Sequence, residues 1–469
     1  MTTELPSGSP RVGGRWAARA PRRAAQAWDR VVDVSRPVLA SRSGRVLVTV
    51  VCLAALLEVL DWRVGQFLVG RTVALMIDLN VYRRAGADVL AGRSIYRQPY
   101  GAFPFTYPPF AALGAVVVAW GERQVIQVLW TVASLAVLGA VIFATLRRRF
   151  PAWDRGALGL LALAALAVLS LMQPVYENFY YGQVNIFLMA LCFFDVVSTS
   201  SRRPRGVLVG IAAGAKLVPG IFGLYFLLTG QIRAAIVSGL SFLATVGLTW
   251  AFLPNDSYRY WLHIIFDTAR IGSPTFHRNQ SLYGAALRAV SGTDGRALFA
   301  VAAVAVAVVG FRRARSLTAQ GDLVAAALVV GLIGILVSPV SWTHHLDWVA
   351  PLLVLVVLDA DRPILWLWGA VCIAIFSLPV PLDASAFVRT HAGVLRVFGA
   401  IGEDAFALLV LGLLVTPFRS NRIPWHWGAG GAGLPDPPGS GGDPLTRRAG
   451  RPEPAQSSSS NPTAVAARR

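Results

Sequence analysis

Four groups of residues in this chain have the types and spacing for acid–base and anion chemistry. Asp78 opens the stretch Asp78-Leu79-Asn80-Val81-Tyr82-Arg83-Arg84, just beyond the first long apolar run. A carboxylate there serves either as a helix N-cap or interfacial acid paired with Arg83 or Arg84, or as a general base that takes a proton from a hydroxyl. Lys216 is the single lysine among the 43 basic residues and lies in Gly214-Ala215-Lys216-Leu217-Val218-Pro219, in the middle of an apolar stretch. Insertion of such a charge at a bilayer centre costs about 2.5–3.5 kcal/mol. It therefore snorkels, pairs with a protein carboxylate, or holds an anion such as a lipid phosphate. His344-His345 closes the run Ser338-Pro339-Val340-Ser341-Trp342-Thr343. It reads as an interfacial turn satisfied by carbonyls, or as imidazoles that support a departing anion. The other histidines, His263, His277, His391 and His426, show no ligand spacing, so no metal site is expected.

The fourth group consists of side chains suited to hydroxyls and ring faces. Gln183 and Asn185 place two amides in Gly182-Gln183-Val184-Asn185, where they bind hydroxyls or cap a helix. Tyr107 precedes Pro108-Pro109, a helix-start signal. Together with Tyr82, Arg83, Asn279, Gln280 and Trp342, these are the candidate substrate-binding residues. Asp359-Ala360-Asp361 matches in form the acidic pair that holds a metal and a nucleotide sugar, but it falls at a span end away from the other groups and is read as chance.

These residues must be positioned by a membrane scaffold. Of 469 residues 55% are hydrophobic and 14% charged, against the roughly 25% charged of soluble domains. Continuous apolar runs support helices, and strand alternation is missing. The fold class is all-α polytopic membrane protein, with about a dozen transmembrane helices. Candidate spans are 44–61, 106–120, 124–146, 156–173, 183–199, 206–229, 233–253, 297–311, 321–338, 346–358, 363–379 and 397–417. Long polar and aromatic segments, 62–105 and 254–296, separate some of them. Residues 1–43 form a basic cytoplasmic arm, 44–419 the transmembrane domain, and 420–469 a Gly-, Pro- and Ser-rich tail expected to be disordered in the cytoplasm. Val46–Leu60 reads as a retained anchor, because the arm before it is too long and Arg-laden for a secretory signal. Cys52, Cys192 and Cys372 lie in apolar runs and say nothing about redox compartment.

The net charge of +19 is clustered in loops, nine arginines falling within residues 1–45. That is the positive-inside pattern, and nothing here resembles a nucleic-acid footprint. From residue 254 onward the arginines of 311–316, 359–362 and 418–422 fall on one side, and 254–296 with His344-His345 on the other. Strict alternation upstream would place Arg147–Arg149 and the 201–205 run outside, against the rule. Either 106–120 or 206–229 is therefore expected to contain a re-entrant or in-plane piece. Three polar clusters, at 77–86, 279–282 and 338–345, converge on the outer face.

The segments DLNVYRRAGADVLAG, FTYPPFAAL, YGQVNIFLMAL, GAKLVPGIFGLYFLL, NQSL and SPVSWTHHLDWVAPLL occur in an order that resembles glycosyltransferase family eighty-seven, the polyprenyl-phosphate-mannose-dependent α-(1→2)-mannosyltransferases. The likeness covers roughly 45–415. It implies a GT-C-type fold that moves mannose, with inversion, from polyprenyl-phosphate mannose to a mannosylated glycolipid of phosphatidylinositol mannoside or lipomannan type. No nucleotide cofactor is implied; the partners are the lipid-linked donor, the glycolipid acceptor and membrane lipids. The resemblance makes Asp78 the catalytic base and puts Lys216, His344 and His345 around the donor phosphate, on the periplasmic face of the plasma membrane. Glu177 and the aromatics from Tyr176 to Tyr181 do not match the family pattern. Arabinofuranosyl transfer from a polyprenyl-phosphate donor is the sister reading. A secondary transporter or lipid-linked-sugar flippase is the rival from another class.

Overall fold

A computed structural model describes residues 41–64, 76–97, 100, 103–198, 204–358 and 363–417. Residues 1–40 of the basic arm, the 418–422 arginines, the 420–469 tail and the 359–362 acidic run lie outside these. Among the described residues the protein is all helical, with two isolated bridges, Tyr100–Phe103 and Asn279–Trp342, and no strand.

The helices follow in chain order as α1 (Arg42–Val64), α2 (Ile77–Leu90), α3 (Pro109–Ala119), α4 (Arg123–Arg149), α5 (Arg155–Leu169), α6 (Gln173–Tyr181) and α7 (Asn185–Val197). Then come α8 (Val207–Ala215), α9 (Ile221–Leu228), α10 (Ile232–Phe252), α11 (Pro254–Leu262), α12 (Leu282–Ala289) and α13 (Gly292–Ala319). The last are α14 (Leu323–Val337), α15 (Val349–Leu358), α16 (Pro363–Phe376), α17 (Val380–Thr390), α18 (Gly393–Glu403) and α19 (Ala405–Val415). Side-chain caps set several starts by satisfying amides that the helix leaves orphaned. Glu122 accepts from the amides of Gln124 at 2.7 Å and Val125 at 3.0 Å, Asp154 from Ala157 at 3.0 Å, and Asp322 from Ala325 at 3.1 Å.

The protein is a membrane protein. Among the described residues α4, α10 and α13 are long and apolar enough to cross a bilayer, and the total rises to six if each bent pair counts as one span. Those pairs are α5–α6, α16–α17 and α18–α19, bent by 82°, 66° and 59°. This is fewer than the dozen read from hydropathy, because several of those stretches fold as apolar helices of 10–17 residues or break part-way.

Arg148, Arg149, Arg205 and Arg313 lie at one end of the helices. Arg148 donates to the Val197 carbonyl at 2.9 Å, and Arg149 pairs with Asp322 at 3.3 Å. Arg205 donates to the Ser198 carbonyl at 2.7 Å and to Gln231 Oε1 at 2.6 Å. Arg313 reaches the carbonyls of Leu414 and Thr416. Arg149 and Arg205 therefore lie at the same end as the arginines of 311–316, and the conflict with strict alternation disappears.

Two fold-back elements account for this. Helix α3 has 11 residues, about 16 Å, roughly half of a hydrocarbon core. It lies against α2, and Arg83 donates to the carbonyls of Val118 and Gly121, both at 3.0 Å, at its C-terminal end. Helices α8 and α9 form a hairpin whose feet are joined by the Arg205–Gln231 bond and whose apex is Lys216. Lys216 itself is extended, with φ −153° and ψ 130°, and Pro219 follows, so α8 cannot continue. A stripe of Gly206, Gly210 and Gly214 presses α8 onto α10. A Cβ at Gly210 would lie 2.4 Å from the Ser238 carbonyl oxygen, so only glycine allows the approach.

Candidate active site

A network runs from Asp78 to Lys216. Asp78, in the first turn of α2, accepts a hydrogen bond from Gln183 Nε2 at 2.6 Å. The other end of that amide, Oε1, is reached by the Tyr82 hydroxyl at 3.0 Å and the Tyr107 hydroxyl at 3.4 Å, and the two hydroxyls lie 2.9 Å apart. Two phenols on the oxygen orient the amide so that its N–H faces the carboxylate. The Tyr107 ring also lies under Lys216, whose Nζ is 5.5 Å from the ring centroid.

Gly182 makes this geometry possible. It has φ 68°, a left-handed conformation that ends α6, and a Cβ there would sit 2.5 Å from Leu79 Cβ, on the helix that carries Asp78. We expect Gly182→Ala to push α2 off Gln183 and cut turnover at least about tenfold, since a displacement near 1 Å can cost far more than that. Initial rates of the purified variant check this. Beside it, Met76 has a positive φ of 30° and is fully buried, so the turn into Asp78 is held by its surroundings.

Lys216 donates to Asn185 Oδ1 at 2.8 Å and contacts His345 Nε2 at 2.9 Å. Because the ammonium carries only donors, Nε2 of His345 accepts, and its ring is engaged within the protein. His344 is different. Its backbone carbonyl is held by Asn178 at 2.8 Å and Asn185 at 3.0 Å, while neither ring nitrogen has a hydrogen-bond partner although the residue is buried. Asp347 is buried one turn further on, its Oδ2 unpartnered, and shares with Lys216 and His345 a cavity whose other wall is Met189, Phe222 and Trp348.

Asp78 lies outside the spans. Burial pushes its carboxyl above the ordinary carboxylate range, opposed by the neighbouring His344 imidazole, the Gln183 hydrogen bond and Lys216. A base works only when ionised, so the rate should be present above the raised value and lost as the pH falls through it. The acid limb of a kcat/KM profile should therefore lie above the roughly 3.9 of a free aspartate. The stability contribution has the opposite sense. Folding favours the protonated form, so the group costs stability above its folded value and nothing below its unfolded one.

The structure brings together Asp78, Tyr82, Tyr107, Gln183, Asn185, Lys216, His344 and His345. It places the other sequence candidates apart. Arg83 is spent on the end of α3. Asn279 donates to the carbonyls of Pro274 and Pro339 and accepts from the Ser341 amide at 2.8 Å, while Gln280 donates to His277 and Glu403 carbonyls and accepts from the Ala407 amide. Both amides brace the loop at 272–281. Trp342 is half-buried in that brace, edge-on to Phe276. Residues without a site assignment in the sequence reading, Glu177, Asn178, Tyr181, Arg278 and Asp347, join the network. A signal for two of them exists: Glu177 is the only charged residue between Arg155 and Asp195, and Asp347 the only one between Asp322 and Asp359. Among the described residues no group of three His, Cys, Asp or Glu has metal-holding geometry.

The profile of glycosyltransferase family 87 matches residues 105–339. The chain belongs to glycosyltransferase family 87. It is 37% identical over 330 residues to a polyprenol-phosphate-mannose-dependent alpha-(1-2)-phosphatidylinositol mannoside mannosyltransferase of Mycolicibacterium smegmatis, covering 64% of this chain and 73% of that one. It is 31% identical over 376 residues to a protein of the same description from Mycobacterium tuberculosis, covering 73% and 87%. A Mycobacterium tuberculosis pentamannoside mannosyltransferase is 32% identical over 292 residues, covering 60% and 66%. No solved structure matches. Within this family 87 chain, the matched span contains Tyr107, Glu177, Gln183, Asn185, Lys216 and Arg278; Asp78 and Tyr82 precede it, and His344, His345 and Asp347 follow it.

Proposed function

We propose that this chain is an inverting mannosyltransferase of GT-C type that moves mannose from polyprenol-phosphate mannose to a phosphatidylinositol mannoside, forming an α-(1→2) bond. The observation that carries it is the meeting of a general-base candidate, Asp78, with a buried cation, Lys216, through Gln183 and Tyr107. The two halves of a displacement need those charges. Asp78 takes the proton of the acceptor hydroxyl as its oxygen attacks the anomeric carbon. The bond from that carbon to the phosphate oxygen breaks, its electron pair leaves on the polyprenyl phosphate, and Lys216 with His344 holds the anion. A lipid phosphate needs no nucleotide site.

The Arg148–Arg149–Arg205 end is assigned to the cytoplasm and Asp78 to the periplasmic face, a reading supported by the clustering of arginines in the 147–149, 201–205 and 311–316 loops. Both lipids then reach the site laterally from the outer leaflet. Purified protein in proteoliposomes, given radiolabelled polyprenol-phosphate mannose and a mannosylated phosphatidylinositol, should make an extended glycolipid without any ion gradient. Transfer from an arabinofuranosyl donor instead, or lipid movement without a new glycosidic bond, would overturn the assignment.

A further inference from the structure

An ion pair with a buried carboxylate next to His344 has no place in the displacement as written. Glu177, on α6, is 1% exposed, and its Oε1 accepts from Arg278 of the 272–281 loop at 2.6 Å. Arg278 also donates to the Tyr181 hydroxyl at 3.2 Å. The second carboxylate oxygen, Oε2, has no partner, and 3.8 Å away lies His344 Nδ1, also without one. Two buried polar atoms of complementary kind that face each other, each otherwise unsatisfied, mark an interaction that completes by a small ring rotation. Tyr181 and His345 pack edge-on against the imidazole at 5.5 and 4.8 Å between centroids and limit that rotation.

We propose that Glu177 is the positioning residue of His344, its free oxygen accepting the Nδ1 proton so that Nε2 is turned toward the donor phosphate. Arg278 takes the other oxygen, which leaves Oε2 as the one that faces the ring. The charged and titratable groups around the ring are Glu177 and Tyr181 from α6, Asp78 from α2, Lys216 from the hairpin apex and His345 from its own turn. Among the described residues, the carboxylate oxygen within 4 Å of Nδ1 is the unpartnered Oε2 of Glu177. Nε2 is then left for an oxygen of the ligand, as the second partner of an imidazole commonly fixes which nitrogen does the work. The catalytic half of this inference rests on the proposed mannosyl transfer; the structural half does not.

The chain has six histidines, so 15N-histidine labelling gives a spectrum in which the His344 signal is found by its loss on substitution. With no donor present, His344 should carry its proton on Nδ1. Glu177→Gln is isosteric, Arg278 retains the oxygen, and the amide now donates toward Nδ1, so the proton should move to Nε2. Arg278→Gln should leave the proton on Nδ1. In turnover assays Glu177→Gln should lower kcat about 10–100-fold and keep the donor KM within about threefold, since Lys216 is untouched. An unchanged tautomer in Glu177→Gln, a proton that leaves Nδ1 in Arg278→Gln, or an undiminished kcat would each overturn the proposal. The tautomer is read without catalysis, so its failure leaves the mannosyltransferase reading standing. Failure of that reading would likewise leave the tautomer result in place.

Discussion

Asp78→Asn should lower kcat about 10²–10⁴-fold, the range supplied by general base catalysis. Asparagine keeps the shape of the side chain, and its oxygen can still accept the Gln183 N–H that now reaches Asp78 at 2.6 Å. The bonds of Gln183 to Tyr82 and Tyr107 are therefore undisturbed, and Lys216 keeps both its partners. What disappears is the lone pair basic enough to take the acceptor proton. Donor affinity, measured by titration with polyprenol-phosphate mannose, should stay within about twofold, since an interaction made only in the transition state affects turnover and not ground-state binding. A variant that turns over at near the native rate would remove Asp78 as the base, and one that loses donor binding would make its role structural.

Lys216→Met should cost about 10²–10³-fold in kcat/KM, comparable to losing one preorganised charge at a departing anion. Methionine fills the space, so the loss would be electrostatic. It leaves Asn185 Oδ1 and His345 Nε2 without a donor, 2.8 and 2.9 Å from where the ammonium lay. Lys216→Arg should not restore activity, because a planar fork does not match two single acceptors placed around a point charge. Steady-state kinetics in proteoliposomes over a range of donor concentrations decide the matter. Activity within tenfold of native in Lys216→Met would place the anion elsewhere.

The candidate residues are legible in the sequence where a polar residue stands alone. Lys216 and Asp78 announce themselves because an isolated charge in or beside an apolar run demands an explanation. Glu177 has the same signature, yet its partner Arg278 is 101 positions further on and nothing local pairs them. Arg83 shows the reverse. Its neighbours in sequence suggest a site, while its hydrogen bonds go to carbonyls 35 and 38 residues away. Asn279 and Gln280 were readable as polar, but whether an amide faces a substrate or a backbone depends on the chain it meets.

The fold was legible to the same depth. Apolar runs locate helices, but a helix that turns back inside the protein is as apolar as one that crosses, so hydropathy cannot separate α3 or the α8–α9 pair from spans. Charge clustering exposed the inconsistency at Arg147–Arg149 and 201–205. The resolution needed the contacts between Arg205 and Gln231 and between Arg149 and Asp322.

The hairpin that begins and finishes at one end of the molecule has a bearing on biogenesis. Its backbone is interrupted at the apex, and amides freed there are tolerable in hydrocarbon only once other protein surrounds them. Flanking helices must therefore already be assembled when it sinks to its final depth, and α10, which the glycine stripe grips, is synthesised after it. The ammonium at its apex is thus among the last features to mature, entering from the end where Arg205 and Gln231 join the hairpin's feet.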